Sequence, residues 1–195
     1  MKKNTNRLAM AASFAGLLAV APALVAQAGS MSASGSMANP KSMSKMSSGD
    51  TKFMKEAAMG GMEEVDLGKL AAQKAASADV KSFAQKMVDD HSKANDQLMQ
   101  LATQKGVTLP TGMSSDEKSA TAKLDKLSGA DFDKAYVSMM VKDHKKDVAD
   151  FQKEAKSGKD SDLKSWASTT LPTLQDHLKM IQGISATMPS GMMKH

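Results

Sequence analysis

The sequence predicts an all-α fold, a four-helix bundle with one long crossover. Three observations predict it. Four long stretches place apolar residues three and four positions apart, the spacing of one helix face. Short turns, Ser77-Ala78-Asp79 and Gly158-Lys159-Asp160, join these stretches in two pairs. The pairs are joined by a much longer link, 107–127. Adjacent antiparallel helices need only a few residues between them, whereas a link of this length can carry the chain across the bundle.

The chain opens with a segment that does not belong to that fold. Lys2, Lys3 and Arg7 precede a mostly apolar run, 8–25, and Ala26-Gln27-Ala28 supplies a small-x-small cleavage pattern. Residues 1–28 therefore read as a signal peptide cleaved after Ala28, and the mature product as exported, most simply to a periplasm or cell envelope. No later apolar run approaches the roughly 20 residues of a membrane span. Residues 29–50, rich in Ser, Gly, Ala, Lys and Met without periodicity, read as a disordered linker.

The bundle is expected over 51–186. Helix A covers 51–76, with Thr51 as its cap. Phe53, Ala57, Gly61, Glu64, Val65, Gly68 and Ala72 share one face of it. Small residues there let a neighbour approach closely. Gly60 and Gly61 each cost about 1 kcal/mol relative to Ala inside a helix, so packing must offset them. Helix B starts at Ser77 or Asp79 and stops at Gly106. Val80, Phe83, Ala84, Met87, Val88, His91, Ala94, Asn95, Leu98, Leu101 and Ala102 form its stripe. A short helix over 116–127, capped by Ser115, sits in the crossover.

Helix C begins after Ser128 or Gly129 and ends before Gly158, with Phe132, Tyr136, Met140, His144 and Phe151 inward. Helix D covers 161–186, with Leu163, Trp166, Ala167, Leu174, His177 and Ile181 inward. Pro172 removes a backbone donor there and predicts a kink. Met188-Pro189 ends the helix, and 187–195 is a Met-rich tail.

Composition excludes several chemistries. Without cysteine there is no thiolate catalysis, disulfide or cysteine metal site. The net charge of +5 is largely the leader's: without Lys2, Lys3 and Arg7, 23 lysines and no arginine face 21 acids. A chain lacking the forked guanidinium donor, with one Trp and one Tyr, is poorly equipped for nucleic acid.

One short phrase occurs twice, Met87-Val88-Asp89-Asp90-His91 and Met140-Val141-Lys142-Asp143-His144. His177 holds a comparable place in helix D. Glu64, His91, His144 and His177 each fall near the middle of a helix, so they stand level in any up-and-down bundle. A lone histidine on an apolar stripe is usually a core residue with ordinary hydrogen bonds. Three at one level with a carboxylate can instead hold one transition-metal ion (Zn, Cu, Fe or Mn), because neutral imidazole with a carboxylate is a common mixed shell. Asp90 and Asp143, each just before a histidine, are placed to orient an imidazole on a neighbouring helix or to lie in solvent. Asp147, a turn beyond His144, is an extra ligand or a partner for a lysine.

The run Ala57-Ala58-Met59-Gly60-Gly61-Met62-Glu63-Glu64-Val65-Asp66-Leu67-Gly68-Lys69-Leu70-Ala71 resembles the opening of the family known as domain of unknown function 4142. Met87 to Asn95, Tyr136 to His144 and Thr170 to His177 resemble its later helices, so the likeness covers about 53–182. It implies a ferritin-like bundle in an exported or outer-membrane protein, and implies no settled activity. The ferritin di-iron pattern itself is incomplete. It needs Glu-x-x-His on two helices, but Val88 and Leu174 stand three residues before His91 and His177. A mononuclear site fits better than a di-iron oxidase.

The function read here is metal handling or stress protection through that single ion. Two alternatives stand beside it. One is copper binding by the methionines and histidine of the ends: Met31, Met37, Met43, Met46, Met192, Met193 and His195. The other is a metal-free protein with peripheral contact to the cell envelope. No Ser-His-Asp arrangement, Gly-rich phosphate loop or Glu-x-x-His helix marks an enzyme.

Overall fold

A computed structural model describes residues 46–188. The segment read as a signal peptide and nearly all of the expected linker and tail, with Met31, Met37, Met43, Met192, Met193 and His195, lie outside the described residues. Five helices follow one another: α1 (Ser48–Lys74), α2 (Ala78–Lys105), α3 (Ser115–Asp125), α4 (Gly129–Ser157) and α5 (Ser161–Thr187). Among the described residues there is no strand, and no helix is long and apolar enough to cross a membrane.

Four of the five helices begin where a side chain satisfies a free N–H group, and α4 starts at Ser128 without such a bond. Ser47 accepts from the Asp50 N–H, Ser77 from Val80, and Asp160 from both Asp162 and Leu163. Ser114 and Glu117 form a reciprocal capping box on α3. Gly106 ends α2 with φ 66°, a left-handed turn that costs glycine nothing. Two expected caps move: α1 starts ahead of Thr51, and Ser114 rather than Ser115 caps α3. Pro172 lies inside α5, whose last residue precedes the extended Met188.

α1 packs along α2, and α4 along α5; the two hairpins then meet through α2 with α5 and α1 with α4. Two buried carboxylates clasp the ends. Asp133, near the start of α4, accepts from the backbone N–H groups of Ala76 (3.0 Å) and Ser77 (2.8 Å) in the α1–α2 turn. Asp50, in the first turn of α1, accepts from Lys159 (3.1 Å) and Asp160 (2.8 Å) in the α4–α5 turn. The crossover therefore returns the chain to the α1–α2 turn before α4 starts. All four neighbouring pairs run antiparallel, with α2 and α4 on one diagonal. Asp50 thus belongs to the bundle and not to the linker in which sequence reasoning placed it.

The core falls into two halves. One holds Leu67, Phe83, Met87, Phe132, Tyr136 and Met140. The other holds Met54, Leu98 and Leu163 with Phe151 and Ala167. The buried face of α1 carries Met54, Ala58, Leu67 and Ala71 together with Gly61, Glu64 and Gly68. Phe53, Ala57, Val65 and Ala72, expected on that stripe, lie half-buried at its edge.

The glycines of α1 separate clearly. A Cβ on Gly68 would stand 2.9 Å from the Val88 side chain and 3.0 Å from the Ala84 carbonyl, and one on Gly61 would overlap the Asn95 amide. Those two let α2 approach. A Cβ on Gly60 meets nothing. We expect Gly60→Ala to stabilise the fold by up to about 1 kcal/mol. Gly68→Ala should lose about 1–2 kcal/mol once overlap is set against the propensity gain. Asp50→Ala should cost about 1–3 kcal/mol by leaving turn N–H groups unmet. Urea unfolding of the three variants measures all three differences.

Candidate metal centre

Between the two halves of the core lies one polar layer. Glu64 (α1), His91 (α2), His144 (α4) and His177 (α5) are buried in it, and the exposure of none exceeds 5 %. The ring centres of the three histidines are 5.3 to 5.7 Å apart. Phe83 closes the layer on one side, edge-on to His144 and His177 at 6.2 and 6.1 Å.

Each imidazole is held by one nitrogen. His144 Nδ1 donates to the Met140 carbonyl at 3.0 Å. His177 Nε2 donates to Asp90 Oδ2 at 2.7 Å, and Lys86 holds the same oxygen at 2.7 Å. His91 Nδ1 lies 2.9 Å from Glu64 Oε2, and the other oxygen of Glu64 lies 3.5 Å from His144 Nδ1. The second nitrogens, His91 Nε2, His144 Nε2 and His177 Nδ1, are buried without a hydrogen-bond partner among the described residues. With the outer nitrogens acting as donors, these inner ones carry the lone pairs.

One nitrogen from each ring lies within 4.8 Å of one from each of the others. For three atoms evenly spaced at that distance the central point is about 2.8 Å from each, against 2.0–2.1 Å for a zinc–imidazole bond. Small rotations of the rings would close the difference.

Electrostatics favours the same use. Burial pushes all three imidazoles down to about 4, so near pH 7 they are neutral and their lone pairs are available. The acids beside them are pushed the other way. Burial first, then repulsion from Asp143 and Glu63, raises Glu64. Burial and the Glu64 charge raise Asp147. Glu63 is pushed up to about 7 by burial, with Glu117, Asp143 and Asp147 adding to it. Burial would raise Asp90 as well, but hydrogen bonds from Lys86 and His177 hold it below its ordinary range. A cation in the layer would relieve the crowding of acids between α1 and α4.

The residues singled out from sequence therefore separate by role. His91, His144 and His177 converge, and among the described residues they form the one metal-sized set. Glu64 touches the outer nitrogen of His91, so its place is behind the imidazoles rather than beside their free lone pairs. Asp90 orients His177 across the α2–α5 contact. Asp143 bears on Glu63 and Glu64 and shows no hydrogen bond to a histidine. Asp147 is half-buried, and the charge of Glu64 bears on it. Sequence reasoning offered Asp90 as an orienting partner for a histidine on a neighbouring helix, and His177 is that histidine; the reading missed Lys86, which holds the same oxygen. The only trace of that bond was Lys86 one helical turn before Asp90.

A cavity of about 30 Å³ adjoins the layer, lined by His91 and His177, by the carboxyl-bearing Glu64, Asp90 and Asp147, by Asn95 and two threonines, and by apolar groups such as Phe151 and Leu174. Gly60 forms part of its wall.

Several solved structures share the fold. A DUF305 fragment from Deinococcus radiodurans is 12 % identical, with a TM-score of 0.66, covering 74 % of this chain and all of that one. CopM in its Cu(I)-bound form is 13 % identical, with a TM-score of 0.60, over 70 % of this chain and 95 % of its own. The conserved hypothetical protein Rv2844 from Mycobacterium tuberculosis is 14 % identical, with a TM-score of 0.56, over 73 % and 94 %. At such identities the likeness is one of fold. No relative is found among curated proteins. The sequence itself is more specific: the chain belongs to the family described as Domain of unknown function (DUF4142), which matches residues 35–184.

Proposed function

We propose that this protein binds one transition-metal ion between His91, His144 and His177 and acts in metal handling in the cell envelope, copper being the first candidate. One observation carries the reading: three buried imidazoles on three helices each keep an inner nitrogen without a partner while the outer one is held. A buried acceptor with no partner costs about 1–3 kcal/mol. Three at one point are a persistent cost unless something accepts their lone pairs, and an ion accepts all three at once. Export of the mature chain is part of the proposal and rests on the leader-like segment 1–28.

Copper is supported by chemistry and by likeness. Imidazole suits Cu, Zn, Fe and Ni, and three neutral donors without thiolate allow either copper oxidation state. CopM, which shares the fold, is known in Cu(I)- and Cu(II)-bound forms. The outer groups match what metal-bound histidines need. Glu64 behind His91, Met140 behind His144 and Asp90 behind His177 fix ring orientation and strengthen each donor.

Titration of the metal-free full chain should give one tight site per chain, lost or weakened in His91→Ala, His144→Ala and His177→Ala. Copper, zinc, iron and manganese all failing to bind would end the proposal. Asp90→Ala removes no proposed ligand, yet it should lower affinity by about 10- to 100-fold by releasing His177. Competition against a chelator of known affinity measures that loss. An unchanged affinity would mean that His177 does not bind through Nδ1.

A further inference from the structure

The histidine layer is closed to solvent. His91, the most exposed of the three, is only 5 % exposed, and all three inner nitrogens are buried. An ion bound there must pass through the bundle wall. Two hollows among the described residues approach the layer. On the α2–α5 side a groove is lined by Asp79, Met180, Gly183 and Thr187. It stops at Phe83, a fully buried ring that packs edge-on against His144 and His177. The other hollow is the cavity described above, and it reaches His91 and His177 themselves. Its remaining wall includes Gly60, Asp90, Asn95 and Thr173, all half-buried, so the space runs from the rim of the bundle to the buried layer.

The lining suits a cation in transit. Glu64, Asp90 and Asp147 bring three carboxyl groups to it, and no lysine lines it. Asp90 is already held by Lys86 and His177. Glu64 is not fully engaged: Oε2 faces His91, while Oε1 is buried with no hydrogen-bond partner. An orphaned buried oxygen of this kind carries a standing cost that a passing cation relieves. About 10–15 Å³ of such space admits one water. The 30 Å³ here therefore passes an ion with one or two waters and not a fully hydrated one. Oxygen donors along the way replace the water that is shed.

Gly60 fits this use. Gly61 next to it is explained by the Asn95 amide, which fills the space a Cβ would need. Gly60 is not, since a Cβ there meets nothing within 4 Å, and it lines the cavity. Its helix-propensity cost keeps open space where the wall meets the cavity.

We infer that this carboxyl-lined cavity is the passage by which the metal cation reaches the three histidines, with Asp147 and Glu64 as transient oxygen donors and Gly60 keeping the way open. The inference rests on the metal reading above. It also sets an order of capture. His91 and His177 line the cavity and are met first, whereas His144 does not line it and closes on the ion last.

A passage governs rates and leaves the bound state alone, and that distinction is the test. Metal-free full-length protein is mixed rapidly with Cu(II), and binding is followed by quenching of Trp166, the only tryptophan of the chain, which lines the same cavity. The quenching phase that disappears in His144→Ala belongs to this site. Release is followed on mixing the loaded protein with a chelator. Gly60→Leu should slow uptake and release together, each by about tenfold, with affinity unchanged. Asp147→Asn should slow uptake and make it less sensitive to ionic strength. Gly183→Leu, in the groove that ends at Phe83, should leave both rates as in the wild type. Wild-type uptake in both Gly60→Leu and Asp147→Asn overturns the inference, and so does slowing confined to Gly183→Leu; either leaves the metal reading standing. No copper bound at this site removes both.

Discussion

The structure turns on keeping three imidazole lone pairs dry and aimed at one point. Burial strips water from His91, His144 and His177 and holds them neutral. That alone would produce three wandering rings. Orientation comes from behind, from the Met140 carbonyl, from Glu64 and from Asp90 with its Lys86. The Met140 carbonyl and Asp90 accept from His144 and His177 and so fix their tautomers and ring planes, while Glu64 stands 2.9 Å from His91 Nδ1. The layer is costly as a piece of core, and it sits between two apolar halves that supply the compensating burial.

Convergence also demands that four helices stay in register over their whole length. The two clasps provide this. Asp133 ties the start of α4 to the turn of the first hairpin, and Asp50 ties the start of α1 to the turn of the second. Both carboxylates stand near the start of a helix, Asp50 in the first turn where negative charge is favoured, and both satisfy N–H groups that a turn leaves free. Fastened at opposite ends, the hairpins cannot slide along each other without breaking one clasp. A shift of one residue would move a histidine by about 1.5 Å along its helix and spoil the convergence.

Much of this was legible in the sequence, for reasons of period and length. Helices and turns follow from local signals: three-and-four spacing, Gly106, and the contrast between short turns and a long link. The level of Glu64, His91, His144 and His177 follows from counting along helices. What was not legible depends on contacts distant in sequence. Asp50 looks like linker because its partners are more than a hundred residues away. Gly60 and Gly61 are indistinguishable as letters, and only the position of Asn95 separates them. Glu64 was expected beside the metal because period shows which face it occupies. Whether its oxygens reach a free lone pair or the back of a ring depends on a turn about the side chain that no period reports.

That displacement of Glu64 matters for the chemistry. With Val88 and Leu174 where a di-iron bundle needs glutamates, and with Glu64 behind the rings, the donors aimed at the centre are all neutral. A neutral triad leaves the full charge of an ion to be balanced at longer range, by Glu64, Asp90 and the acids of the α1–α4 seam. Low coordination by neutral nitrogen suits a soft or borderline ion better than a hard one, which prefers oxygen and higher coordination number.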